Sequence, residues 1–185
     1  MSGAAAERRA AFLDRDGTLI EDRNYLADAD GVRPMPNAIA AVRALNRADV
    51  LAIVVTNQSG IARGFLTENQ YLATAERLRD LFANDGAIID AMYHCPHFPD
   101  ISGPCECRKP GTLLHRRAAA DYGIDLARST YIGDRLSDIL PAQTLGGTGI
   151  LVTSPSTPAA EQERATREFT VVSSVGAAVD LVLAQ

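Results

Sequence analysis

The sequence predicts a doubly wound α/β fold with a mainly parallel sheet and helices on both faces. Apolar, strand-like runs alternate with segments of helical spacing along the chain, the pattern of strand–helix–strand units. Leu51-Ala-Ile-Val-Val-Thr56 is a continuous β-branched run, the mark of a central parallel strand covered on both faces. No repeat, low-complexity linker or composition break divides the 185 residues, a length that supports one domain with a proper core. Residues 10–185 therefore read as a single domain without a large cap, and residues 1–9 as a flexible N-terminal tail.

The elements follow in order. A short apolar strand around Ala11–Leu13 ends at Asp14. Asn37 to Arg47 has helical apolar spacing, with Pro36 near its start. Leu51–Thr56 is the central strand, and Thr67 with Gln70 forms a capping box that opens a helix through about Ala83. Ala91–Cys95 reads as a short strand, Thr112–Tyr122 as a helix and Ser129–Gly133 as a strand. Leu136–Leu145 reads as one helix ended by Gly146 and Gly147. Late strands at Gly149–Val152 and Phe169–Val172 alternate with helices at Pro158–Arg167 and Val175–Ala184.

Composition excludes some partners. A net charge of −5 argues against a nucleic-acid or anionic-membrane surface, both of which want a basic patch. No apolar stretch approaches a membrane span of about 20 residues. The first ten residues lack the apolar core of a signal peptide, so the expected compartment is the cytoplasm.

Three strand ends carry polar clusters. Asp14 and Asp16 stand two residues apart just past the first strand, where α/β sheets bind ligands. Gly17 permits a sharp turn or a positive φ immediately afterwards. Thr56-Asn-Gln-Ser-Gly-Ile-Ala-Arg-Gly64 offers hydroxyls, amides and backbone donors suited to phosphate oxygens. Gly133-Asp-Arg-Leu-Ser-Asp138 is an acidic turn opening a helix, where Asp134 taken alone reads equally as an N-cap. Carboxylates from separate loops fit Mg²⁺, which takes a few oxygen ligands plus substrate phosphate. Lys109 is the only lysine in an arginine-rich chain, which suggests a task for a compact ammonium.

All three cysteines lie in Cys95-Pro-His97 and Cys105-Glu-Cys107. Three cysteines and a histidine make a closed tetrahedral zinc set with no open position. Buried cysteines or a redox pair at Cys105 and Cys107 are the alternatives. His94 and His115 fall outside the ligand pattern and read as structural or surface residues.

In order, Asp14-Arg-Asp-Gly-Thr18, Thr56-Asn57, Lys109 and Gly133-Asp-Arg-Leu-Ser-Asp138 resemble the four motifs of the haloacid dehalogenase superfamily. Val54–Gly64, Tyr93-His-Cys-Pro-His97 and Cys105–Pro110 narrow the resemblance to its histidinol-phosphatase-like branch, and most specifically to the group acting on a heptose bisphosphate. The likeness spans about residues 11 to 153. It implies a Mg²⁺-dependent phosphomonoester hydrolase with Asp14 as nucleophile and Asp16 as acid and base. It further implies Mg²⁺ on Asp14, the Asp16 carbonyl and Asp134, and Thr56 and Asn57 gripping the phosphoryl group. By the same resemblance, Lys109 is expected to neutralise nucleophile and phosphate together. Asp138 either orients the metal shell or is a plain helix-surface aspartate. The resemblance also implies Zn²⁺ on Cys95, His97, Cys105 and Cys107, pinning a loop (95–107) that delivers Arg108 and Lys109, and a monomer.

With no room for a large cap, selectivity falls to Glu21–Val32, with Asp22 and Asn24, and to the zinc loop. Ser59, Arg63, Arg108 and Arg135 complete the expected substrate contacts, a bidentate arginine suiting a second phosphate. Arg135 stands where close heptose enzymes are expected to carry lysine. The expected partner is a small sugar phosphate; a histidinol-phosphate phosphatase and a catalytically silent zinc-stabilised module are the rival readings.

Overall fold

The computed structural model describes residues 8–185. Six strands form one sheet: β1 (Ala10–Leu13), β2 (Leu51–Asn57), β3 (Ala91–Cys95), β4 (Thr130–Gly133), β5 (Thr148–Val152) and β6 (Thr170–Val172). Their spatial order is β3-β2-β1-β4-β5-β6, and every neighbouring pair is parallel. The chain winds outward from β1 through β2 to β3, then returns to β4 on the other side of β1. That reversal puts the topological switch point between β1 and β4, the place where open α/β sheets bind ligands.

The helices are α1 (Ala38–Arg47), α2 (Glu68–Asn84), α3 (Pro99–Ser102), α4 (Leu113–Tyr122), α5 (Leu136–Ile139), α6 (Pro141–Leu145), α7 (Ala159–Glu168) and α8 (Val175–Leu183). Strand residues alternate between two cores because successive side chains leave opposite faces. Ala11, Leu13, Ala52 and Val54 pack with Val42 and Leu45 of α1, Phe82 of α2 and Val179 of α8. Phe12, Ile53, Val55 and Tyr131 face the other way, toward Leu114 and Ala118 of α4. β1, buried on both faces, is thereby fixed in the middle of the molecule, with Asp14 at its exit.

The sequence-based elements recur within a residue or two at most ends. The capping box at Thr67 and Gln70 is formed, and Gly146 ends α6 in the left-handed region at φ +86°. The expected single helix over Leu136–Leu145 is instead two. Pro141 has no N–H to continue the ladder and becomes the first residue of α6. The short α3 and a 3₁₀ turn at Ala29–Gly31 were not expected. Residues 1–7 of the expected tail lie outside the described residues. Arg8 and Arg9 do not continue it: Arg8 pairs with Gly123 and Asp125, while the Arg9 guanidinium donates to Val182 O at 2.9 Å.

Candidate active site

Asp14 is held at the switch point by its own backbone, whose N–H donates to Ile132 O of β4 at 2.9 Å. Its Oδ1 accepts from Lys109 Nζ at 2.7 Å, and the same ammonium lies 2.9 Å from Asp138 Oδ1 and donates to Val55 O. Ligand atoms of Asp14, Asp134 and Asp138 lie within 4.8 Å of one another, and all three residues are buried. Gly17 adopts φ +81°, as the turn requires, and a Cβ there would stand 2.5 Å from Asp134 Oδ2. The glycine thus lets the loop after β1 close onto the residue after β4.

Three carboxylates face one ammonium in this cluster, and the imbalance shows in their proton affinities. Burial pushes Asp14 well above the ordinary carboxylate range; Lys109 opposes the rise, while Asp138, Asp134 and Asp16 add to it. Burial and Asp138 push Asp134 up to about 6, against hydrogen bonds from Ser154 and Ser156. Burial favours neutral Lys109, but Asp138 and Asp14 more than reverse that and keep its ammonium charged. A divalent cation between Asp14 and Asp134 would supply the missing positive charge and return both to carboxylates. The donor set, all oxygen and partly open, fits Mg²⁺.

Asp138 is buried, so the helix-surface alternative is corrected. Its Oδ2 accepts from the Arg135 N–H at 2.9 Å while Oδ1 meets Lys109. It orients the lysine from one side, as Asn57 does from the other. Asn57 Oδ1 accepts from the Lys109 N–H at 2.9 Å, and Asn57 Nδ2 donates to Lys109 O at 3.2 Å. The amide expected to grip a phosphoryl group is thus largely committed to the lysine backbone.

Asp16 lies apart from the carboxylate cluster. Arg15 Nε donates to its Oδ2 at 2.9 Å and Arg15 Nη2 to its Oδ1 at 3.0 Å; Gln58 Nε2 also donates to Oδ2, at 2.9 Å. Arg15 is fully buried, and its third arm, Nη1, reaches Thr74 Oγ1 on α2 at 3.0 Å. Gln58 Nε2 also donates to Thr56 Oγ1 at 2.9 Å.

These groups line a cavity of about 300 Å³ at the carboxyl edge of the sheet. Asp14, Asp16, Thr56, Asn57, Ser59, Arg108, Asp134 and Arg135 all border it, with Asp22, Asn24, Tyr25 and Leu26 forming one wall. Tyr25 packs against Phe65 with ring centroids 4.7 Å apart and the planes tilted by 47°. Arg63 does not border the cavity. Its guanidinium sits 3.7 Å from the Phe98 ring centroid, with Arg108 6.0 Å from the same ring. Arg135 is tied to Glu161 of α7 at 3.0 Å.

Sequence reasoning missed Arg15, Gln58 and three hydroxyls after β5. Ser154 Oγ donates to Asp134 Oδ2 at 2.7 Å, Ser156 Oγ to the same oxygen at 3.0 Å, and Thr157 Oγ1 to Asp134 O at 2.8 Å. The run Thr153-Ser-Pro-Ser-Thr157 just past a buried strand was the available signal.

A second cluster lies at the end of β3. Cys95, His97, Cys105 and Cys107 bring their ligand atoms within 4.8 Å of one another. Sγ–Sγ separations are 2.9, 3.4 and 3.6 Å, and His97 Nδ1 lies 3.2 Å from Cys107 Sγ and 3.7 Å from Cys95 Sγ. A tetrahedral zinc with bonds of about 2.3 Å has S–S edges of about 3.8 Å, so a small expansion suits these donors. His94 is outside the set and pairs with Glu68 at 2.6 Å. His115 is buried against Phe12 and Tyr131.

The all-parallel sheet, with acidic residues after β1 and β4 and a lysine between them, is the arrangement expected from the resemblance to the haloacid dehalogenase type. The HAD-hydrolase-like family model matches residues 106–178. The chain is 38% identical to the D-glycero-beta-D-manno-heptose-1,7-bisphosphate 7-phosphatase of Haemophilus ducreyi over 163 residues, 85% of this chain and 90% of that protein. The enzyme of the same name from Escherichia coli K12 is 40% identical over 163 residues, 82% of this chain and 84% of that one. The chain belongs to this heptose-bisphosphate phosphatase family of hydrolases. A crystal structure of D,D-heptose 1.7-bisphosphate phosphatase from B. bronchiseptica, complexed with magnesium and phosphate, superposes with a TM-score of 0.85. It shares 29% identity over 95% of this chain and 98% of the other. Among the described residues, no helix is long and apolar enough to cross a membrane.

Proposed function

We propose that this phosphatase removes the 7-phosphate of D-glycero-beta-D-manno-heptose 1,7-bisphosphate through an aspartyl-phosphate formed on Asp14. The juxtaposition of Asp14, Lys109 and Asp134 at the switch point carries this reading, and the relatives' names favour that substrate and anomer.

An Asp14 oxygen attacks phosphorus as the bond to the sugar oxygen breaks. Asp16 gives its proton to the leaving oxygen, then takes one from the water that releases phosphate and regenerates Asp14. Lys109 balances the charge of the nucleophile and the transferring group, held in place by Asp138 and Asn57. Thr56 and Ser59 offer hydroxyls to the phosphoryl oxygens. Bound by Asp14, the Asp16 carbonyl and Asp134, Mg²⁺ supplies the charge that lets a carboxylate approach an anionic phosphate. Arg108 and Arg135 at the cavity, with Arg63 behind Phe98, form the cationic side that suits the distal phosphate. Zn²⁺ on Cys95, His97, Cys105 and Cys107 is structural and fixes the loop preceding Lys109. Action as a monomer in the cytoplasm is part of the same proposal.

Phosphate release with Mg²⁺ tests the substrate. Both anomers of the heptose bisphosphate are compared with histidinol phosphate and fructose 1,6-bisphosphate. The expected result is a kcat/KM for the β anomer at least ten-fold above the rest. A higher value for any competitor would overturn the assignment.

A further inference from the structure

Asp16 receives three hydrogen bonds, and they are unevenly shared. Oδ2 accepts two, from Arg15 Nε and Gln58 Nε2, while Oδ1 accepts one, from Arg15 Nη2. A carboxylate oxygen has two lone-pair directions, so Oδ2 is filled and Oδ1 keeps one direction free. The donors are themselves fixed. Arg15 is fully buried, anchored to Thr74 of α2, and 5.2 Å from the Tyr71 ring; Gln58 Oε1 accepts from Arg15 Nη2 at 3.3 Å. The fork therefore joins the loop after β1 to the loop after β2 and to α2, and Asp16 rests between them at the cavity wall.

We infer that Arg15 and Gln58 are positioning residues that clamp Asp16 and dedicate its Oδ1 to proton transfer. This rests on the reading of Asp16 as the acid and base. As the phosphorus–oxygen bond to the sugar breaks, the proton on Oδ1 passes to the departing oxygen. It returns to Oδ1 from the water whose oxygen then bonds to phosphorus. The bidentate fork sets the plane of the carboxylate, a constraint that a lysine at position 15 cannot reproduce.

Leaving-group dependence separates this role from a merely structural one. A sugar alkoxide needs the proton as it departs, whereas 4-nitrophenolate does not. kcat/KM is measured on the heptose bisphosphate and on 4-nitrophenyl phosphate for the native enzyme, Gln58→Met, Arg15→Lys, Arg15→Gln and Asp16→Asn. General acid catalysis is worth roughly 10²- to 10⁴-fold. Asp16→Asn should therefore lose at least about 100-fold more on the sugar phosphate than on the nitrophenyl ester. Gln58→Met should show the same preference at about ten-fold, and both Arg15 variants should exceed it. Gln58→Met keeps the arginine and carries the test if an Arg15 variant fails to fold. A selective loss in Asp16→Asn with equal losses on both esters in Gln58→Met would overturn the clamp and leave the role of Asp16 standing. Equal losses in Asp16→Asn itself would overturn the acid–base reading, and the inference with it.

Discussion

The carboxylate cluster at the switch point and the thiol cluster at the end of β3 differ in how they are assembled and in what they leave open. Asp14, Asp134 and Asp138 come from two strand exits far apart in sequence and border a cavity of about 300 Å³. Cys95 ends β3, His97, Cys105 and Cys107 follow it within twelve positions, and together they would fill all four corners of a tetrahedral metal. A site with free coordination positions can admit substrate, whereas a filled tetrahedron can only hold the chain. The contrast extends to charge. One lysine leaves three carboxylates under-compensated, so this cluster calls for a cation that also meets phosphate.

Breaking the first region should cost most activity and little fold. Asp14→Asn keeps the volume of the side chain and removes the nucleophile, so turnover should fall by at least about 10³-fold with circular dichroism and zinc content unchanged. Activity near the native level would remove Asp14 from its assigned role. Breaking the second region should do the reverse. Cys107→Ser should lower bound zinc, measured by atomic emission, together with the melting temperature, because structural zinc contributes folding energy. Native metal content in that variant would refute the tetrahedral set.

Smaller effects sharpen the contrast. Ser154 and Ser156 both bond Oδ2 of Asp134, which would leave Oδ1 for a metal. Replacing both with alanine should weaken Mg²⁺ about 10- to 100-fold by calorimetry, with zinc content unaffected. An unchanged Mg²⁺ affinity would show the hydroxyls to be idle. His115, whose imidazole feels the charge of Lys109, is read in stability and not in activity. Burial and Lys109 lower it from 6.5 to about 3. The unfolded chain therefore binds a proton below pH 6.5 that the folded chain refuses until about pH 3. Stability from this group is complete above pH 6.5 and declines as pH falls, by up to about 1.4 kcal/mol per pH unit. Subtracting the urea-unfolding profile of His115→Phe from the native one should reveal that slope. Parallel profiles between pH 6.5 and 4 would contradict it.

The two regions were also unequally legible in the sequence. The thiol set lies within thirteen residues, so its pairing, with the family resemblance, suggested a metal set. The sheet was legible because β1 and β2 are uniformly apolar and capped by recognisable turns. Asp14, Asp134 and Lys109 stood out as motif residues, and Gly17 as a turn whose positive φ the structure bears out. Arg15 was hidden because a buried arginine in sequence looks like a solvated one; only its partners on β2's exit and α2 reveal its place. The tie of Asn57 to the Lys109 backbone was hidden for the same reason, since that contact spans 52 positions. The fate of Asp138 depended on burial, which an acidic residue in a helical turn does not advertise.

The most direct measurement is acid-quenched mass spectrometry of the native enzyme mixed with Mg²⁺ and heptose bisphosphate. The account predicts one added phosphoryl group on the peptide spanning residues 11–20, localised to Asp14, and none in Asp14→Asn. A phosphoryl group on any other residue, or turnover with none on Asp14 at any quench time, would contradict it.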